Sequence, residues 1–198
     1  MDPRRLKSRL RLHAALRQML GQMPLRDISV EALVRQAGVT RPTFYAHFAD
    51  VPEMLGEYLD HLLAEMSRRR HRDIACSDGA FPPLDSLGAS VAGALRDLDP
   101  LDPRLQAILD GVPGLSPELR FAAMLQEMME ANAPAVHTGL SPGQRQLQAH
   151  FFTGAFVGLV RLWISRKTEL TADELGEAFA DLVRNGAQGD IPCFRSET

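Results

Sequence analysis

Cysteine, aromatic residues and strand-like alternation are all scarce in this chain of 198 residues. Its two cysteines, Cys76 and Cys193, stand far apart with no C-x-x-C spacing, which argues against a disulfide scaffold or a zinc site and leaves free thiols. No uninterrupted apolar run approaches the ~20 residues that cross a bilayer. Residues 1–20 carry Arg and Lys throughout, where a signal peptide would have an apolar core. A cytoplasmic protein without a membrane partner is expected. His61 and His71 are ten residues apart and His137 and His150 thirteen, so neither pair has the i, i+4 spacing of helical metal ligands. No metal and no cofactor are expected. A G-x-S-x-G does occur, at Gly139-Leu140-Ser141-Pro142-Gly143, but no strand precedes it as a nucleophile elbow requires. Ser141 and Pro142 read instead as the N-cap and first residue of a helix. With no catalytic constellation left, the chain does not read as an enzyme.

What is present is helical periodicity and a lopsided charge. Residues 1–50 hold nine Arg and Lys against four acids, a balance of +5, so the remainder carries −8 of the total of −3. A basic end on an acidic body is the footprint of a protein that approaches phosphate with one end. Leu12, Ala15, Leu16, Met19 and Leu20 repeat at i, i+3, i+4, i+7 and i+8, the buried stripe of a first helix stopping near Pro24. Asp50 and Pro52 open a long helix to about Arg70, with Arg68-Arg69-Arg70-His71-Arg72 at its C-terminal end, where cations oppose the helix dipole. Ser77–Pro83 is a turn-rich break. Further helices are expected over 84–98, 103–110, 117–133, 144–167 and from a Thr171 cap to about Asn185.

The most informative segment lies between the first two of these helices. Ser29 caps a short helix, with Ile28 and Leu33 at the positions of a hydrophobic staple. Gly38 ends that helix in a left-handed conformation, Thr40 caps the next, and Pro42 sits in its first turn, where its missing N–H costs no intrahelical bond. Two short helices joined by a Gly-containing turn make a helix-turn-helix, here at about 29–48. Its second helix enters the major groove with its N-terminal residues against base edges. Arg41 and Thr43 are then the base readers, Pro42 an apolar contact, and Tyr45 and His47 donors to phosphate, while Phe44 and Phe48 pack inward. Ser29 and Thr40, at the two N-caps, join the DNA-contacting set.

The stretch from Leu12 to Leu55, and Arg41-Pro42-Thr43-Phe44-Tyr45-Ala46-His47 above all, resembles the N-terminal domain of the tetracycline-repressor (TetR) family of bacterial transcriptional regulators. The resemblance implies an all-α chain of about nine helices. A three-helix helix-turn-helix DNA-binding domain would occupy residues 1–65, and an effector-binding and dimerisation domain 66–198. It also implies phosphate contacts from Tyr45 and His47. One departure stands out: where the family commonly has a phosphate-contacting Lys, this chain has Val51. Arg4, Arg5, Lys7 and Arg9 are expected to supply backbone affinity as a basic arm ahead of the first helix.

The long C-terminal helix carries Phe151, Phe152, Ala155, Phe156, Leu159, Val160, Leu162, Trp163 and Ile164, an apolar surface wider than one face, with Gly154 and Gly158 permitting close approach. Composition alone favours a core helix within one chain. The resemblance, with the need of a helix-turn-helix for a two-fold partner, selects a homodimer joined through Phe152, Phe156, Leu159, Trp163, Phe179 and Leu182. The same resemblance implies a pocket for a small apolar effector, lined in part by the stripe Phe121, Met124, Leu125 and Met128. Met-rich walls adapt to varied ligands, although core packing also explains them. The reading is a ligand-responsive repressor on a palindromic double-stranded DNA operator. The alternative is an all-α homodimeric interaction protein of the same fold that no longer binds DNA.

Overall fold

The first helix begins well ahead of its apolar stripe. In the computed structural model, which describes residues 3–75, 84–131, 141–165 and 168–185, α1 spans Pro3–Leu20. The expectation that Arg4, Arg5, Lys7 and Arg9 form an arm ahead of the first helix is therefore corrected: all four lie inside it. Cations at a helix N-terminus oppose the dipole, and two of them are held by acceptors elsewhere. Arg5 donates to the carbonyl of Ala46 at 3.0 Å, and Arg9 pairs with Glu57 at 2.5 Å.

Beyond α1 come α2 (Val30–Ala37), α3 (Arg41–Tyr45) and α4 (Val51–Ala75). Helices of eight and five residues are too short to persist alone, so caps and a shared core hold them. The core of this head is Leu12, Leu16, Leu33, Phe44, Met54 and Leu55, each with no exposed surface, closed by Ile28 and Phe48. Ile28 and Leu33 are thus both buried, as a hydrophobic staple needs.

The body consists of α5 (Leu84–Asp97), α6 (Pro103–Asp110), α7 (Pro117–Ala131), α8 (Pro142–Ile164) and α9 (Ala172–Asn185). Among the described residues that makes nine α-helices and no strand. Ser141 caps α8 with a capping box to Gln144, so the G-x-S-x-G serine is a helix cap. Thr171 and Glu174 exchange the same pair of bonds at α9. The helix α9 lies against α5 with backbones touching: a Cβ on Gly176 would overlap the carbonyl oxygen of Gly88. Phe121 of α7 stacks on Phe156 of α8 at 4.9 Å, and Arg161 pairs with Glu118 at 3.0 Å, so these two helices run antiparallel.

Head and body are joined by more than a linker. The 65/66 boundary expected from sequence falls inside the unbroken α4, and Ile108, Val112 and Leu115 of the body complete the head's core. Beside them, Asp102, buried at the N-terminus of α6, accepts from Tyr58 of α4 at 3.3 Å and from Arg104 at 2.6 Å. Arg17 of α1 pairs with Asp99 at 3.1 Å. Burial raises the Asp102 carboxyl, but hydrogen bonds from Arg104 outweigh it and hold the group below its ordinary value. Burial and the Asp102 carboxylate push the Tyr58 phenol up. Cys76, Cys193, His137 and the Ser77–Pro83 break lie outside the described residues, as do the side chains of Arg70, His71 and Arg72. Arg68 and Arg69, earlier in that basic cluster, pair with Glu65.

Candidate nucleic-acid interface

The interface is built from local hydrogen bonding outward. The Ser29 hydroxyl accepts from the N–H of Ala32 at 3.1 Å, and Gly38 takes φ 63°, which lets Val39 N–H reach back to the Val34 carbonyl at 3.0 Å. The Thr40 hydroxyl accepts from the N–H of Thr43 at 3.4 Å and lies 2.9 Å from the Thr43 hydroxyl. The chain thus turns and restarts as α3 within three residues. Phe44, wholly buried between Tyr45 and Phe48, pins α3 to the core and fixes which face points out.

That outward face presents Arg41, Pro42 and Tyr45, all exposed, with Thr43 and His47 half-buried beside them. Arg41 lies 3.5 Å from Glu31 of α2, a solvent-exposed pair that costs little to exchange for a stronger partner. The Ser29 and Thr40 hydroxyls are spent on caps, so these two residues shape the interface more than they extend from it. Val51 is buried as the first residue of α4, so its side chain is committed to the core and unavailable to a phosphate.

His47 is not a free donor. Its Nε2 lies 2.8 Å from Ser8 Oγ on α1, and the Ser8 hydroxyl also reaches the Arg5 carbonyl at 2.9 Å. Burial first, then the charges of Arg5 and Arg9, lower the His47 pKa, with Glu57 opposing. A second layer stands behind it: Glu57 takes hydrogen bonds from Arg9 and from His13, both at 2.9 Å. These bonds outweigh burial and hold the Glu57 carboxyl below its ordinary value. Sequence reasoning missed Ser8, His13 and Glu57. The signal was present, since Ser8 and Arg5 lie four and seven residues before Leu12 and so continue its stripe as polar members.

The residues expected at the effector and dimer sites scatter. Phe121, Met124 and Leu125 are half-buried and Met128 buried. The α7–α8 register sets Met124 and Leu125 level with Thr153, whose buried hydroxyl has no hydrogen-bond partner, and Met128 level with Ala149. Open clefts among the described residues include one of about 660 Å³ between α1 and the start of α6 and one of about 340 Å³ between α6 and the end of α8. None of the four effector residues lines either. Of the dimer set, Phe156 and Phe179 are corrected: both are buried in their own protomer's core and have little surface to offer a second chain. Phe152, Leu159 and Trp163 are half-buried and Leu182 is 60% exposed. The row that α8 does leave open is Leu147, Phe151, Gly154, Ala155, Gly158 and Leu162. By length and composition alone α8 is apolar enough to cross a bilayer, yet its Phe156, Val157, Val160 and Ile164 are core.

Residues 12–57 match the profile of bacterial regulatory proteins of the tetR family. No curated protein sequence matches the chain significantly. Among solved structures, a putative TetR-family transcriptional regulator from Syntrophomonas wolfei aligns with a TM-score of 0.64 at 14% identity, over 93% of this chain and 96% of that one. FadR from Bacillus subtilis, in complex with stearoyl-CoA, aligns with a TM-score of 0.61 at 15% identity, over 89% and 98%. The TetR family repressor AlkX from Dietzia sp., implicated in biodegradation of n-alkanes, aligns with a TM-score of 0.55 at 18% identity, over 94% and 98%. At these identities the likeness is one of fold.

Proposed function

We propose, from the premise that residues 12–57 are a TetR-family DNA-binding domain on a chain of that family's fold, that the protein is a homodimeric, ligand-responsive transcriptional repressor. It binds a palindromic operator through α3 and leaves when a small apolar effector enters the body. The observation that carries this reading is the outward face of α3. Arg41 stands at the N-terminus of a capped helix and Tyr45 one turn on, with only an exchangeable ion pair to Glu31 between Arg41 and a guanine edge. The +5 balance of residues 1–50 supports the same end as the one that meets phosphate.

Dimerisation is read from the open row on α8 and from Ala178 and Leu182 on α9, flanked by the half-buried Phe152, Leu159 and Trp163. A partner seated there gives the two reading heads the two-fold relation that a palindrome needs, ~34–36 Å or a multiple apart. The effector wall is Phe121, Met124, Leu125 and Met128 on α7, of which Phe121 stacks on Phe156 of α8. The similar FadR holds an acyl-CoA and AlkX is implicated in alkane biodegradation, which favours an alkyl or acyl effector here as well.

Selection from random duplex DNA tests the reading, and should return a palindrome bound by a particle of twice the chain mass. Arg41→Ala should then weaken that site by about 1–3 kcal/mol and relax preference at one base pair per half-site. Equal loss on specific and non-specific DNA would remove Arg41 as a base reader, and recovery of no preferred duplex would leave the DNA-free interaction protein.

A further inference from the structure

We propose that Ser8 is a positioning residue for DNA binding: it fixes the tautomer of His47 so that the ring can donate to a DNA phosphate only after taking up a proton. The inference rests on the reading of His47 as a phosphate contact and gives that contact a pH dependence.

The argument is a count of donors. Ser8 Oγ lies 2.9 Å from the Arg5 carbonyl oxygen and 2.8 Å from His47 Nε2. A carbonyl only accepts, so the single hydroxyl proton goes to Arg5. The Ser8 oxygen then meets Nε2 with a lone pair, and Nε2 must carry the imidazole proton. In a neutral ring that leaves Nδ1 as an acceptor. A phosphate oxygen is an acceptor too, so a neutral His47 held in this way repels the group it is meant to bind. The imidazolium has both N–H bonds and keeps the Ser8 contact while donating to phosphate, a charge-assisted bond of the stronger kind.

The surroundings favour the neutral ring in the free protein. Arg5 and Arg9 face it from α1, and Glu57 from α4 is already engaged by Arg9 and His13. From the loop after α3 it meets the uncharged ring of Phe48 at 6.0 Å. Burial and the two arginines lower the free-state pKa from its ordinary 6.5. A phosphate at Nδ1 acts in the opposite direction and raises it in the complex. The sign follows: the complex binds more protons than the separate partners, so DNA affinity rises as pH falls through the window between the two values. Up to about two protons enter per dimer.

The experiment measures binding of a duplex selected by the wild-type protein, at constant ionic strength, from about pH 6 to about pH 8. Calorimetry in buffers of differing ionisation enthalpy counts the protons. Wild type should lose about tenfold or more in affinity across that range and take up protons on binding. His47→Gln should bind more weakly with a flat profile. Ser8→Ala frees the ring to place its proton on Nδ1, so its profile should flatten and its affinity near pH 8 should equal or exceed wild type, while Ser8→Thr should restore the slope. A Ser8→Ala profile as steep as wild type, or wild-type binding without proton uptake, overturns the proposal. An unchanged affinity in His47→Gln at every pH removes the phosphate contact on which it rests. The ¹⁵N shifts of the His47 ring in the free wild-type protein need neither DNA nor a variant: a protonated Nδ1 with a bare Nε2 overturns the Ser8 lock by itself.

Discussion

On α3 the exposed side chains are Arg41, Pro42 and Tyr45, and the apolar Phe44 among them has no exposed surface; on α8 the exposed row includes Leu147 and Phe151, at 70% and 62%. The two helices differ in how much they can leave open. With five residues, α3 has one turn of its own hydrogen bonds and depends on the Thr40 cap, the Gly38 turn and a single buried ring. Any apolar residue it exposed would be lost to that core. With 23 residues, α8 carries its own backbone ladder and a stripe of Phe156, Val157, Val160 and Ile164 that anchors it from one side. Its other side is free to be apolar for a different reason. The core under α3 is thus closed by Phe44, whereas the α8–α9 face leaves Leu147, Phe151 and Leu182 exposed.

This difference sets an order of effects on folding. The largest belongs to Phe44→Ala, which removes the ring that pins α3 and leaves a cavity against Tyr45 and Phe48. A loss of about 3–5 kcal/mol is expected in urea unfolding, a large share of a stability of roughly 5–15 kcal/mol. Gly176→Val comes next. Its side chain would meet the Gly88 backbone, which cannot retreat as a flexible side chain would, so α9 must lift from α5. About 1–3 kcal/mol should be lost. If Phe44→Ala proved milder than Gly176→Val, the head would not be the region that hangs on single residues. Thr40→Ala should cost about 1 kcal/mol through the lost cap, and Thr40→Ser little. Because that cap starts α3, DNA affinity should fall by more than stability does, which a parallel titration and melt would read.

Most of this order was legible in the residues, and the reason is range. Ser29, Gly38, Thr40, Ser141 and Thr171 act on N–H and C=O groups within a few positions of themselves, so a linear reading finds them, and the helices read over 84–98 and 103–110 are found over 84–97 and 103–110. What depended on distant partners did not come through. Arg4, Arg5, Lys7 and Arg9 read as an arm ahead of the first helix because its apolar stripe begins only at Leu12. The carbonyl of Ala46 and the carboxylate of Glu57, 41 and 48 residues away, reverse that. Phe156 and Phe179 were assigned to a dimer surface because the stripes of α8 and α9 cannot be split into inner and outer halves until Phe121 and α5 are in place. Asp102 has a local role as the N-cap before Pro103, accepting from the N–H of Arg104 at 3.0 Å, but its bond from Tyr58 spans 44 residues and has no sign in the sequence.

The smallest effect on folding should come from the exposed apolar side chains of the α8–α9 face. Phe151→Gln with Leu182→Gln removes two large side chains that touch little of their own protomer, so the stability of the single chain should move by no more than about 0.5 kcal/mol. The same pair should have the largest effect on assembly. If a second chain covers this face, the wild-type melting temperature rises with protein concentration, because association draws on the folded form alone. The double variant should melt independently of concentration and sediment at one chain mass, and its operator affinity should fall although every residue of α3 is intact. Differential scanning calorimetry over a hundredfold range of concentration, with sedimentation of the same samples, separates the two contributions. A wild-type melting temperature that does not depend on concentration would leave the exposed row on α8 without a partner of its own kind. A double variant that loses several kcal/mol would mean that Phe151 and Leu182 belong to the protomer's own core, and the contrast between the closed core under α3 and the open α8–α9 face would fall with them.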